Sequence, residues 1–110
     1  MNVKELSEKL QLEIISGMES LNREVTGIYC CDLLSLVMGR APADSIWLTV
    51  MGNMNSVAVA TLADISCIVL CEGCNMDAQG LEKAREKDVA ILCTTAPIYE
   101  TAMRLSKFVS

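Results

Sequence analysis

Histidine is absent from the 110 residues, which removes the commonest general base and the commonest metal ligand together. Aromatic residues are scarce, with one Trp, two Tyr and one Phe. Core volume must therefore come from Leu, Ile, Val, Met and Ala, and Ala-rich helices have to sit close to their neighbours. Basic clusters are missing as well: nine Lys and Arg lie scattered from Lys4 to Lys107 against fourteen Asp and Glu, a net charge of −5. A nucleic-acid footprint needs cations grouped on one face, so nucleic acid is not an expected partner. No apolar run nears the roughly 20 residues of a membrane-spanning helix. The polar, charge-mixed opening from Met1 to Gln11 does not read as a signal peptide, and no membrane association is expected. Runs of the forms GxxxxGK[ST], GxGxxG and GxSxG are lacking, which excludes the usual phosphate-binding loops and the hydrolase nucleophile elbow.

What the chain has in plenty is aliphatic surface and sulfur. Apolar residues make up 52%, enough for one autonomous α/β domain over residues 1–110. At this size such a surplus predicts an apolar patch that meets another protein, and a homodimer is expected. Six cysteines without an export signal argue for a reducing, cytoplasmic setting with free thiols.

Asn2 followed by Glu5 predicts a capped amphipathic helix with Val3, Leu6 and Leu10 on one face. Leu12 to Ile15 alternates like a half-buried strand and stops at Gly17, and the polar residues 18–24 read as loop. Four strand–helix pairs follow. Val25–Cys30 leads to a helix from about Asp32 to Met38, ended by Gly39 and Pro42. Ile46–Met51 leads through Gly52 and Asn53 to a helix over 56–63. Cys67–Cys71 leads through Gly73 to a helix capped by Asp77 and running to about Lys87. Val89–Cys93 leads to a last helix with Pro97 in its first turn and Ile98, Ala102, Leu105 and Val109 on one face.

Three of these strands are continuous apolar runs, the pattern of strands covered by helices on both faces. Strand–helix alternation implies right-handed crossovers. The expected architecture is α/β: one three-layer sandwich around a mostly parallel sheet of about five strands. The helix over 56–63 is apolar almost all round, so it is expected to be deeply buried, partly by a partner subunit.

In an open parallel sheet, ligands meet the carboxyl ends of the strands and the helix N-termini that follow. Four segments converge there: Cys30-Cys31-Asp32, Gly52-Asn53-Met54-Asn55, Cys71-Glu72-Gly73-Cys74 and Thr94-Thr95-Ala96-Pro97. The candidate ligand-binding residues are accordingly Cys30, Cys31, Asp32, Gly52, Asn53, Asn55, Glu72, Gly73, Thr94 and Thr95. Helix capping alone would account for Asp32, for Asn53 or Asn55, and for Thr95. Cys30, Cys31, Cys71, Cys74 and Cys93 all fall at or just past strand ends on this rim, whereas Cys67 lies at the opposite end. The Cys71-x-x-Cys74 spacing suits metal or redox chemistry, and Cys30 with Cys93 would complete a cysteine-only metal site. Buried, inert thiols are the alternative, since free cysteine is among the most buried residue types. A cysteine nucleophile would lack its usual His, leaving a helix N-terminus to activate Cys31 or Cys74. Glu72 and Asp77 read as exposed loop carboxylates ahead of a helix, not as an acid–base pair. No catalytic residue and no cofactor is assigned. Trp47 is expected to be buried with its N–H on one carbonyl, and Tyr99 to cover the sheet edge.

The run Gly27-Ile28-Tyr29-Cys30-Cys31-Asp32-Leu33-Leu34-Ser35-Leu36-Val37-Met38 resembles the short, stand-alone members of the DRTGG-domain family. So do Asn55–Ala60, Ile68–Gly73 and Ala90–Thr95 followed by Tyr99-Glu100, in matching order and spacing over nearly the whole chain. The Asp-Arg-Thr-Gly-Gly string itself is absent, and Glu72-Gly73 stands where its glycine-rich turn would fall. The resemblance implies a fold like the N-terminal domain of HPr kinase/phosphorylase, with dimerisation and regulation. It does not imply kinase activity, because the kinase part carries a phosphate-binding loop that this chain lacks. Short members beside hydrogenase and other redox genes imply a link to redox systems.

These features point to a non-catalytic, homodimeric regulatory or ligand-sensing module. Its expected partners are a small molecule or nucleotide at the rim and a protein of a redox or regulatory system. Two alternatives stay open: a redox or metal/cluster-binding protein built on Cys71 and Cys74 with Cys30, Cys31 or Cys93, and a phosphotransferase-associated enzyme subunit.

Overall fold

The chain begins on its capping box. In the computed structural model, which describes residues 1–109, Asn2 Oδ1 accepts the Glu5 N–H at 2.8 Å while Glu5 Oε1 accepts the Asn2 N–H at 2.9 Å. Helix α1 (Val3–Leu10) then buries Val3, Leu6 and Leu10, the face its spacing predicts. The short strand β1 (Glu13–Ser16) follows, and the stretch expected as loop holds one 3-10 turn at Met18–Ser20. Four strand–helix units complete the chain: β2 (Gly27–Cys30) with α2 (Leu34–Arg40), β3 (Ser45–Thr49) with α3 (Met54–Leu62), β4 (Cys67–Leu70) with α4 (Ala78–Lys87), and β5 (Ile91–Cys93) with α5 (Ile98–Leu105).

The sheet order is β1-β5-β4-β3-β2, with β2 to β5 parallel and β1 antiparallel at the edge beside β5. Every residue of β3 and β4 is buried, as continuous apolar runs require. Each of the strands β2 to β5 is laid down on the same side of its predecessor. Right-handed crossovers in one direction put their helices on one face. There Val37 of α2, Val57 and Ala60 of α3 and Ala84 of α4 pack on Trp47, Ile68, Leu70 and Ile91. The opposite face carries α1 and α5, whose Val3, Leu6, Leu10 and Leu105, with Val109 beyond, cover Ile46, Leu48, Val69 and Leu92. The result is the three-layer α/β sandwich expected, with a mixed but mostly parallel sheet.

Helix α3 is the one element whose burial departs from expectation. Only Ser56, Val57 and Ala60 are buried, and Leu62 is 71% exposed. Small residues let one narrow stripe seat closely on the sheet, with Val59 at its margin, and Met54, Ala58 and Leu62 are left exposed. Tyr99, expected to cover the sheet edge, is likewise exposed. At the amino-terminal end of the sheet, Arg23 ties three loops together, reaching Asp44 at 2.8 Å, Asp64 at 3.1 Å and the Ile65 carbonyl at 3.1 Å. Among the described residues no helix is long and apolar enough to cross a membrane.

Candidate functional site

The four parallel strands deliver their carboxyl ends to one rim, as the strand–helix alternation predicts, but the rim does not form a single pocket. At the β2 end, Asp32 is not a helix cap. Leu33 occupies the N-cap of α2 without a side-chain bond, and the Asp32 carboxylate instead accepts the buried Thr49 hydroxyl at 2.6 Å and the Val50 N–H at 3.0 Å. The Trp47 Nε1 donates to the Cys31 carbonyl at 2.8 Å. Cys30, Cys31 and Asp32 thus join the ends of β2 and β3.

At the β3 end Asn53 is the cap its type predicts, its Oδ1 accepting the N–H groups of Asn55 at 2.9 Å and Ser56 at 3.2 Å. Asn55 enters this arrangement through its backbone and its residue is exposed. Gly52 serves a close approach: its carbonyl accepts the Asp77 N–H at 3.0 Å, and a Cβ here would lie 2.1 Å from the Asn75 carbonyl oxygen.

Residues 71–74 form a tight turn. The Cys74 N–H donates to the Cys71 carbonyl at 3.0 Å, with φ of +61° at Glu72 and +73° at Gly73. Two successive positive φ values mark a type I′ geometry, easy for Gly and strained for Glu. The turn is stitched to the β5–α5 loop by Glu72 N–H to the Ala96 carbonyl at 2.9 Å and Gly73 N–H to the Thr94 carbonyl at 3.0 Å. Asp77 caps α4, accepting the Gly80 N–H at 2.7 Å. Thr95 is not a cap; Pro97 holds that place in α5 with no side-chain bond, while the Thr94 hydroxyl accepts the Ala96 N–H at 3.2 Å.

Beside this turn lies a cleft of about 350 Å³. Gly73, Cys74 and Asn75 of the β4–α4 loop form one wall, and Cys93, Thr94 and Thr95 form another. Gln11 and Glu13 close it from the edge strand, where Glu13 is paired with Cys93 across the antiparallel ladder. Of the predicted ligand-binding residues, Gly73, Thr94 and Thr95 are brought together here. Cys30, Cys31, Asp32, Gly52, Asn53, Asn55 and Glu72 do not line the cleft. Gln11, Glu13 and Asn75 were missed. The strand pattern at 12–15 carried the only available signal for the first two, but it says nothing of which neighbour that strand joins.

The thiols divide by burial. All six cysteines are free. Burial pushes the Cys71 thiol up to about 11, with the nearby Cys30, Glu72 and Asp32 adding to it against a hydrogen bond from Thr101. Burial raises Cys67 further. Burial also raises Cys93, with Glu13 and then Cys74 as lesser causes, and Cys30, with Asp32 second. Among the described residues, no three of Cys, Asp and Glu gather to hold a metal ion; the thiols proposed for a cysteine-only site are spread round the rim. In the unfolded chain a thiol ionises near 9.0. Between that value and 11 the unfolded state loses the Cys71 proton while the folded state keeps it, so folding is fully supported below pH 9 and weakens above it. Urea midpoints should therefore fall from pH 8.5 to pH 11, with Cys71 contributing on the order of 2 kcal/mol. The Cys71→Ala variant should show a shallower fall; an unchanged slope would rule the thiol out as its source.

Residues 5–108 match the family model described as the DRTGG domain. Among curated proteins none matches the chain. Among solved structures it is similar to the CBS and DRTGG domains of the regulatory region of Clostridium perfringens pyrophosphatase, complexed with the activator diadenosine tetraphosphate. The TM-score is 0.75 at 9% identity, covering 94% of this chain and 45% of that one. At that identity the likeness is one of fold, and this chain spans less than half of its neighbour.

Proposed function

Since the chain belongs to the DRTGG-domain family, we propose that it is a non-catalytic regulatory module that senses a small molecule in the cleft between the β4–α4 turn, the β5–α5 loop and β1. One observation carries this. The connection leaving β4 runs to the face of α2, α3 and α4, whereas the connection leaving β5 runs to the face of α1 and α5. Adjacent parallel strands whose connections part to opposite faces open a crevice at their carboxyl ends, the place where open α/β sheets bind ligands. A thermal-shift screen of nucleotides and metabolites on the full chain tests it. A true ligand at a hundredfold excess over Kd should stabilise by about 2.7 kcal/mol, and a screen without a single shift would count against sensing.

The non-catalytic reading is supported by a chain with no histidine and no phosphate-binding loop. A homodimer is supported by the outer faces of α2 and α3, where Leu33 at the head of α2, Met38, Met54 and Leu62 are exposed. Sedimentation at tens of micromolar should give twice the 12.0 kDa chain mass, and a monomer would end that part. The free thiols accord with a reducing cytoplasm. A thiol-redox reading draws on Cys74 and Cys93 lining the same cleft. Oxidised glutathione should then modify one of them, as read by mass spectrometry; two untouched thiols would dismiss it.

A further inference from the structure

We infer that the cleft takes an uncharged, hydroxyl-bearing molecule of the nucleoside type, and that phosphate groups on such a ligand weaken its binding. This rests on the cleft being the sensing site, and it deepens that proposal by naming the ligand chemistry.

Phosphate recognition in proteins draws on three devices: Arg or Lys side chains, free helix N-termini, and concavities of unpaired backbone N–H groups. The first is missing from the cleft, and of the last its lining offers only the single N–H groups of Asn75 and Thr95, on separate walls. Glu13 is the one charged residue lining the cleft, and no Lys or Arg lines it. Arg104 of α5 is engaged elsewhere, at 3.5 Å from the Leu10 carbonyl. The N-terminus of α4 already faces the Asp77 carboxylate. That of α5, which follows Pro97, does not line the cleft and carries Glu100 in its first turn. The turn at Glu72-Gly73 has no backbone donor to spare. The N–H groups of Glu72, Gly73 and Cys74 go to the carbonyls of Ala96, Thr94 and Cys71.

What the cleft does offer is unpaired hydrogen-bonding capacity of neutral or acceptor type. Among the described residues the side chains of Gln11, Glu13, Asn75 and Thr95 have no intramolecular hydrogen-bond partner, whereas Thr94 uses its oxygen for Ala96. A carboxylate at the mouth of an α/β sheet accepts the hydroxyls of a ribose diol. Amide side chains match the donor–acceptor edge of adenine. A volume of about 350 Å³ sits at the small end of the range for ligand sites. It suits a base and sugar more than an extended polyphosphate.

Titration calorimetry of the full chain with adenosine, its 5′-monophosphate and its 5′-triphosphate, in magnesium-free low-salt buffer, tests this directly. Adenosine should bind tightest, with the triphosphate about tenfold weaker, the loss expected from like charges several ångströms apart near a protein surface. The gap should narrow at high salt. Glu13 is exposed on the edge strand, so Glu13→Gln keeps the fold. That variant should weaken adenosine and reduce the triphosphate penalty to a few-fold or less. Equal or tighter binding of the triphosphate overturns the inference while leaving a sensing module in place. If adenosine fails but another screened compound binds, the ligand class is wrong and sensing stands. If nothing in the screen binds, both fall together.

Discussion

Trp47→Ala is expected to destabilise the protein by about 3–5 kcal/mol, a large share of the about 5–15 kcal/mol available to a domain of this kind. Trp47 sits fully buried in β3, between β2 and β4. Its ring packs in the cluster formed with Val37, Val57, Ile68 and Leu70, and its N–H holds the Cys31 carbonyl beyond the end of β2 at 2.8 Å. Truncation removes the largest side chain of an aromatic-poor core and leaves a cavity that short aliphatic neighbours cannot fill. It also orphans a carbonyl that anchors the β2–α2 connection. Trp47→Phe separates the two effects, since the smaller ring keeps most of the packing; its cost should be about 1–3 kcal/mol, chiefly the unpaired carbonyl. Urea unfolding followed by circular dichroism measures both, because either change removes the only tryptophan. A loss under 1 kcal/mol for the alanine variant would show that this face is not packed as described.

The second large effect is expected at Gly52, through backbone rather than side chain. A Cβ there would meet the Asn75 carbonyl oxygen at 2.1 Å and the carbonyl carbon at 2.8 Å. These are main-chain atoms of the β4–α4 loop, so relief requires the loop itself to move. That movement breaks the Gly52 carbonyl bond to the Asp77 N–H and shifts Asn75 and Cys74 in the cleft wall. Gly52→Ala should cost more than about 2 kcal/mol and weaken any cleft ligand at least tenfold. Gly39, within α2, provides the contrast. Nothing lies within 4 Å of a Cβ built there, so Gly39→Ala should stabilise by about 0.5–1 kcal/mol. Thermal unfolding of the two variants beside the unaltered chain decides the matter; similar midpoints would contradict the close approach.

Gly52 also shows how a candidate chosen from sequence can be right in place and wrong in role. Its place after a strand predicts a rim position, and it is on the rim. Its neighbour is another loop of the same chain, not a ligand. Asp32 and Thr95 follow the same course. Both have the residue type of a helix cap at a helix start. Asp32 instead bonds across to Thr49 and Val50, and α5 begins later, at Ile98. Cap preference is a local statistic: at Asp32 tertiary donors of better geometry override it, and at Thr95 the helix simply starts too late.

The sequence by itself determined the strands, the helices and the layer they build. Strand burial follows from uninterrupted apolar runs such as Cys67–Leu70, helix starts from Asn2, Asn53 and Asp77, and right-handed crossovers from chirality. Each of these depends on residues close together in the chain. Only the tertiary structure decided that β1 runs antiparallel beside β5, and that choice brings Gln11 and Glu13 to Asn75, Cys93 and Thr95. A pairing between the two ends of the chain depends on which edge is left open once the parallel strands are in place. No local pattern at Leu12–Ile15 encodes that, so the rim was legible and the cleft was not.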